Sequence, residues 1–160
     1  MLYTAKSPEV RQLKIAKTDR IVMTDEPLVL RYEIRPQPKT VEAKPHGLWY
    51  ACGREWLNWT IQNNFHTHFD YVYRLHLDSS YLLMLRTLDE FDLFHNQFTT
   101  RRVVGLPWPN WHTIAQAYAG IEICPYQWKR RLEYSWYYGW DVASGCIWDT
   151  NIVQEVEQLL

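Results

Sequence analysis

Residues 47–59 read GLWYACGREWLNW. The apolar run from Leu48 to Cys52 is closed on both sides by glycine, which favours a short buried strand. After Gly53, Trp56 and Trp59 recur at near-helical spacing. The stretch therefore predicts a strand, a tight turn and a helix. Trp49 and Tyr50 leave such a strand on opposite faces, so one meets the core and the other a cleft. Gly47 frees the backbone to approach a ligand.

Working outward, MLYTAKS alternates apolar and small polar residues up to Pro8 and predicts an opening strand. RIVMT and LVLRYEIR predict two strands around the turn at Asp25-Glu26-Pro27. RPQPKTVEAKPHG, with three prolines, predicts an irregular loop. On the C-terminal side FDYVYRLHLD puts Tyr71, Tyr73, Leu75 and Leu77 on one face and Val72, Arg74 and His76 on the other. YLLMLR and IEIC predict further strands, Thr87 caps a helix, and Asn110 caps a short one stopped by Gly120. YQWKRRLEYSWYYGWD is ambiguous between a helical turn and a long loop. SGCIWD predicts the last strand, and TNIVQEVEQLL a tail with about one helical turn.

These elements make a strand-rich α+β domain with short helices and mixed or antiparallel sheets, and 160 residues fit one domain spanning 1–160. A composition of 16% aromatic residues with nine Trp exceeds the needs of an ordinary core and calls for a thick core or a binding surface. The net charge of −1 gives no global field for a phosphate backbone. Local basic groups stand at Arg101-Arg102 and Lys129-Arg130-Arg131. The three cysteines lie far apart without CxxC spacing, which argues against a disulfide framework or a zinc site and for a reducing, cytoplasmic setting. No apolar run approaches a membrane span, so no membrane partner is expected.

Nucleotide-loop and hydrolase-elbow motifs are absent. FHTHFD sets His66, His68 and Asp70 on one face if extended, a weak metal signal, and no metal is expected. SWYYGWDVASGCIWDT, residues 135–150, is the second informative stretch. It places Asp141 among rings that exclude water, then Ala143-Ser144-Gly145, small enough to admit a flat ligand.

GLWYACGREWLNW resembles the Gly-Ile-Tyr-Phe-Ala segment of the ADP-ribosyltransferase fold, where an aromatic-bearing strand leads into a helix beside the nicotinamide pocket. SGCIWDTNIVQEV resembles that fold's closing strand, Glu-Tyr-Ile-Val-Tyr-Asp-Thr-Ala-Gln-Val in poly(ADP-ribose) polymerases, with Trp148-Asp149-Thr150 on its Tyr-Asp-Thr. The same pieces are similar to uncharacterised proteins of bacteria and their phages. The resemblance implies a two-sheet fold and NAD as substrate, with ADP-ribose passing to a protein or nucleic-acid acceptor. It implies NAD contacts at Tyr3, Thr4, Gly47, Trp49 and Tyr50, with Arg130 or Arg131 meeting the pyrophosphate. The family glutamate falls on Ser144, and the family's first-strand histidine or arginine is missing from LYTAKS. Asp141, or Glu122 on the neighbouring strand, is expected to supply the carboxylate, with Tyr137, Tyr138 and Trp140 shaping the acceptor side. Two readings need no chemistry: an aromatic-rich module stacking on sugars or bases, and a bacterial or phage interaction protein.

Overall fold

A computed structural model describes residues 2–101 and 107–160. The chain runs through α1 (Pro8–Arg11), β1 (Arg20–Thr24), β2 (Leu48–Cys52), α2 (Glu55–Gln62), β3 (Tyr71–Leu77), β4 (Leu82–Leu85) and α3 (Leu88–Phe98). It continues through β5 (Thr99–Arg101), β6 (Pro107–Pro109), α4 (Trp111–Ala115), β7 (Gly120–Ile123), β8 (Ser144–Ile147) and β9 (Val153–Gln158). Local chemistry sets several boundaries. Gly53 turns the chain from β2 into α2 with φ +59°, a left-handed conformation that favours glycine. The Thr87 hydroxyl accepts the Glu90 N–H at 3.1 Å and caps α3. The Asn110 side chain accepts the Thr113 N–H at 3.2 Å and caps α4.

Seven strands form one sheet in the order β4-β7-β8-β2-β1-β3-β9, and β5-β6 form a separate ribbon. Every neighbouring pair in the large sheet is antiparallel except β4 and β7. A parallel pair needs a crossover, and α3, the ribbon and α4 supply it.

Register sorts the side chains, because paired residues share a face. Glu122, Gly145 and Tyr50 stand in one row, with Arg20 opposite Cys52 on the same face. Ile21, Ala51, Ser144 and Ile123 take the other face. Buried residues occur on both faces, which is unusual for a largely antiparallel sheet. Over the β1–β3 half, Val10 of α1 and Leu57 of α2 cover Ile21 and Val72. Phe91, Phe94, Trp111, Trp136, Tyr137 and Trp140 join Ile121 and Ile123 in the main core.

Most of the aromatic surplus is therefore core. Trp111, Trp136 and Tyr137 are fully buried, and Trp140 and Trp148 nearly so. The rings meet edge-on or tilted, as between Phe91 and Tyr137 at 4.7 Å and Trp136 and Trp140 at 6.0 Å. Each buried indole finds an acceptor: Trp111 the Glu42 carbonyl, Trp140 that of Ala43, Trp148 that of Tyr118, and Trp136 the Nδ1 of His95.

Five expectations are corrected. LVLRYEIR forms no strand, because β2 and β3 occupy both edges of β1; it makes one bridge, Ile34 to Asp149, and leaves Val29 exposed. MLYTAKS bridges only at Tyr3 to Phe69 before Pro8 opens α1. SGCIWD is not the last strand, since the open edge of β3 draws the tail into β9. Gly120 begins β7 instead of merely stopping α4. Cys52 and Cys124 form a disulfide, leaving Cys146 as the free, buried thiol. Among the described residues, no helix is long and apolar enough to cross a membrane.

Candidate functional site

Where α2 faces residues 139–142, the sheet carries a cleft of about 250 Å³. Its floor is Ile21 and Met23 of β1, Trp49 and Ala51 of β2, and Ser144 of β8. Trp56 of α2 forms one wall, Trp140 and Val142 the other, and Val22, Lys44, Tyr50, Gly139 and Asp141 complete the lining. Both informative sequence stretches thus border one cavity, because β2 and β8 are paired neighbours. Trp49 meets Trp140 edge-on at 4.9 Å, and the Lys44 ammonium lies 5.7 Å from the Trp49 ring centre. Trp56 is braced from behind by Trp59, stacked at 5.0 Å and 11°. Flat apolar walls beside one cation and one carboxylate suit a planar ligand bearing charge.

Asp141 lies at this cleft and is partly open. Its carboxylate is 36% exposed and faces the Arg131 guanidinium at 3.6 Å, so it is paired rather than walled in by rings. Ser144 is buried, and its hydroxyl donates to the Val142 carbonyl at 3.0 Å. Tyr137 is also buried and accepts the Gln127 N–H, while Tyr138 is exposed, so only Trp140 of the three expected rings lines the cleft.

The other expected contacts are spoken for. Arg130 makes a two-pronged pair with Asp92, both contacts 2.7 Å, and also meets Glu133. That guanidinium holds the Asp92 carboxyl below its ordinary value, and Asp92 in turn raises Arg130. Arg131 donates to the Tyr126 hydroxyl and the Trp140 carbonyl and lies 4.8 Å from the Tyr138 ring centre. Neither arginine is free for a pyrophosphate. Gly47 is required by β8, since a Cβ there would stand 2.3 Å from the Ile147 carbonyl oxygen. Tyr3 and Thr4 do not line the cleft; Thr4 is tied into a turn by its N–H to the Ser7 hydroxyl. Of the two basic sequence groups, Arg102 lies outside the described residues.

Glu122 lies on the face opposite Ser144 and does not reach the cleft floor. Its Oε1 accepts from Arg20 Nε at 2.7 Å and from the Tyr50 hydroxyl at 2.8 Å. Burial works against the Arg20 charge, but the Glu122 carboxylate prevails and raises its pKa. Burial, with Glu122 adding to it, pushes the Tyr50 phenol well up. Tyr50 is thus a structural ring, and the flat group admitted over Gly145 is this protein's own phenol.

His66 and His68 lie in an exposed loop, not on a strand face, so FHTHFD gathers no ligand set. Among the described residues the group with metal-ligating atoms in reach of one another is Cys52, Glu122 and Cys124. Lys44 and Trp56 were not singled out by the sequence as lining. The signal for Trp56 was its place one residue into a helix that folds back over the strand preceding it. No family model, curated protein or solved structure matches this chain.

Proposed function

We propose that the cleft between β2, β8 and α2 binds the nicotinamide end of NAD and that the protein is an ADP-ribosyltransferase-like enzyme. The observation that carries this reading is the cleft itself, with Trp49, Trp56 and Trp140 as flat walls, Lys44 beside Trp49, and Asp141 as its acid. The nicotinamide ring of NAD is planar and cationic, and such a ring is held by indole faces. Lys44 meets a phosphate of the same ligand, while Asp141 stabilises the cationic ribose as the glycosidic bond breaks. In this reading Ser144 occupies the family glutamate's position, and Asp141 serves from the adjoining loop. Released ADP-ribose passes to a macromolecular acceptor or to water.

Calorimetry with NAD and chromatographic detection of free nicotinamide test this directly. Binding with nicotinamide release, and loss of release in Asp141→Asn, is the expected result. No heat and no thermal shift at millimolar NAD sinks it. One observation favours a binding protein without transfer: the strand residues lining the cleft, Ile21, Val22, Met23, Trp49, Tyr50, Ala51 and Ser144, include no carboxylate. NAD binding without any nicotinamide release would select that reading.

A further inference from the structure

We propose that Cys52, Cys124 and Glu122 bind a zinc-class divalent cation when the two cysteines are in their dithiol form. The residues belong to β2 and to β7 and its end, two strands that β8 separates in the sheet. Their sulfur and carboxylate atoms nevertheless all lie within 4.8 Å of one another, and the two cysteine Cα atoms are 6.7 Å apart. The intervening strand permits this approach. Gly145 stands between Tyr50 and Glu122, and the Cys52 N–H donates to the Ala143 carbonyl, so β8 itself sets nothing larger than a methyl between the ligands, and the Tyr50 phenol over Gly145 bonds Glu122 Oε1.

The donor set suits the cation. Two thiolates and one carboxylate form three corners of a tetrahedron and leave the fourth for water. Their three negative charges exceed a divalent cation by one, and Arg20, held against Glu122 at 2.7 Å, balances the remainder. Arg20 and Tyr50 both bond Oε1, which orients the carboxylate and leaves Oε2 for the cation. Cys52 and Glu122 are buried, so bulk water competes poorly for the ligands.

The structure holds the pair as a disulfide. A small dithiol reductant delivers two electrons and two protons to the sulfurs, giving two thiols, and is itself closed to a cyclic disulfide. The cation then displaces both thiol protons. This site lies on the sheet face opposite the NAD cleft and does not rest on the nucleotide reading.

The full chain, reduced with dithiothreitol and freed of it without air, should be titrated with Co²⁺, whose thiolate charge-transfer absorption reports cysteine ligation. The reduced protein should bind one Co²⁺, displaceable by Zn²⁺, and the disulfide form none. Glu122→Gln should weaken binding at least about 10-fold, the scale of losses around metal sites. Cys146→Ser should bind as the parent does, because Cys146 is paired with Trp49 and Ile121 on the other face. Should the Cys52 or Cys124 variants fold poorly, the reduced parent decides alone. Absence of the thiolate band in that sample, whether circular dichroism finds it folded or not, overturns the proposal, as does equal binding by the disulfide form.

Discussion

Tyr50 and Gly145 are paired across β2 and β8, and the phenol ring lies over the glycine so closely that a Cβ there would stand 2.3 Å from Tyr50 Cζ. This clearance lets the hydroxyl reach Glu122 on the next strand. Gly145→Ala should destabilise the fold by about 1–3 kcal/mol, the usual cost of overpacking. Tyr50→Phe should cost about 1–3 kcal/mol by leaving a buried carboxylate short of a donor. Urea midpoints of both variants and of the double variant check this. The double variant should lose less than the sum, since both changes break one contact.

On the proposed reading of the cleft as an NAD site, removing the Trp49 ring should weaken NAD binding about 10-fold, or about 1.4 kcal/mol, because the cation–π face is lost. Trp49→Phe should keep most of the affinity. Calorimetric titration of both variants gives the answer, and equal affinity for Trp49→Ala and the parent would remove the ring from the site.

Thiol counting tests the cysteine arrangement. Burial raises the Cys146 thiol well above its ordinary value, so the native disulfide form should give no reaction with an aromatic disulfide reagent at neutral pH. In denaturant one thiol should appear, and after prior reduction three. Three thiols in denaturant without reductant would contradict the Cys52–Cys124 bond.

Stability should fall in two steps as the solution is acidified. Burial, only partly offset by Asp92, holds His95 below its ordinary 6.5, and its Nδ1 must stay unprotonated to accept from Trp136. The unfolded chain takes up that proton first, so His95's contribution is whole above 6.5 and is lost as pH falls towards the folded value. Asp92 lies below its ordinary 3.8, chiefly through Arg130; its contribution is present above 3.8 and is lost as pH falls from there towards the folded value. Urea midpoints measured from neutral to strongly acidic pH should lack the upper step in His95→Gln and show a smaller lower step in Asp92→Asn, where Glu157, lowered by His76 and Arg74, still contributes.

What the sequence made legible was local. RIVMT, LWYAC and YVYRLHL announced their strands through composition or alternation, Gly53 its turn, and Thr87 and Asn110 their helices through cap chemistry. LVLRYEIR has the same alternation as a strand, but both sides of β1, the strand before it, are taken by β2 and β3. The tail VQEVEQ lacks a clear period and becomes a strand only because β3 offers an edge. At the site, the pairing of β2 with β8 brought Trp49 and Ser144 together as their motifs suggested. The neutralising partners were hidden: Arg131 beside Asp141, Asp92 beside Arg130 and Arg20 beside Glu122 are contacts between separate segments that no spacing encodes. The Cys52–Cys124 bond spans 72 residues and follows only from strand order.

That strand order also governs how the molecule assembles. β8 fills the gap between β7 and β2, yet it leaves the ribosome long after β2 has done so. Until residues 144–147 insert, the apolar LWYAC segment shows one row of unpaired backbone groups, a template for another chain. Closing so distant a pairing carries an entropic cost, so the two parts of the sheet on either side of β8 are joined late. A nascent chain stalled before Ser144 therefore presents three unfinished edges, on β2, β7 and β3, and is exposed to aggregation.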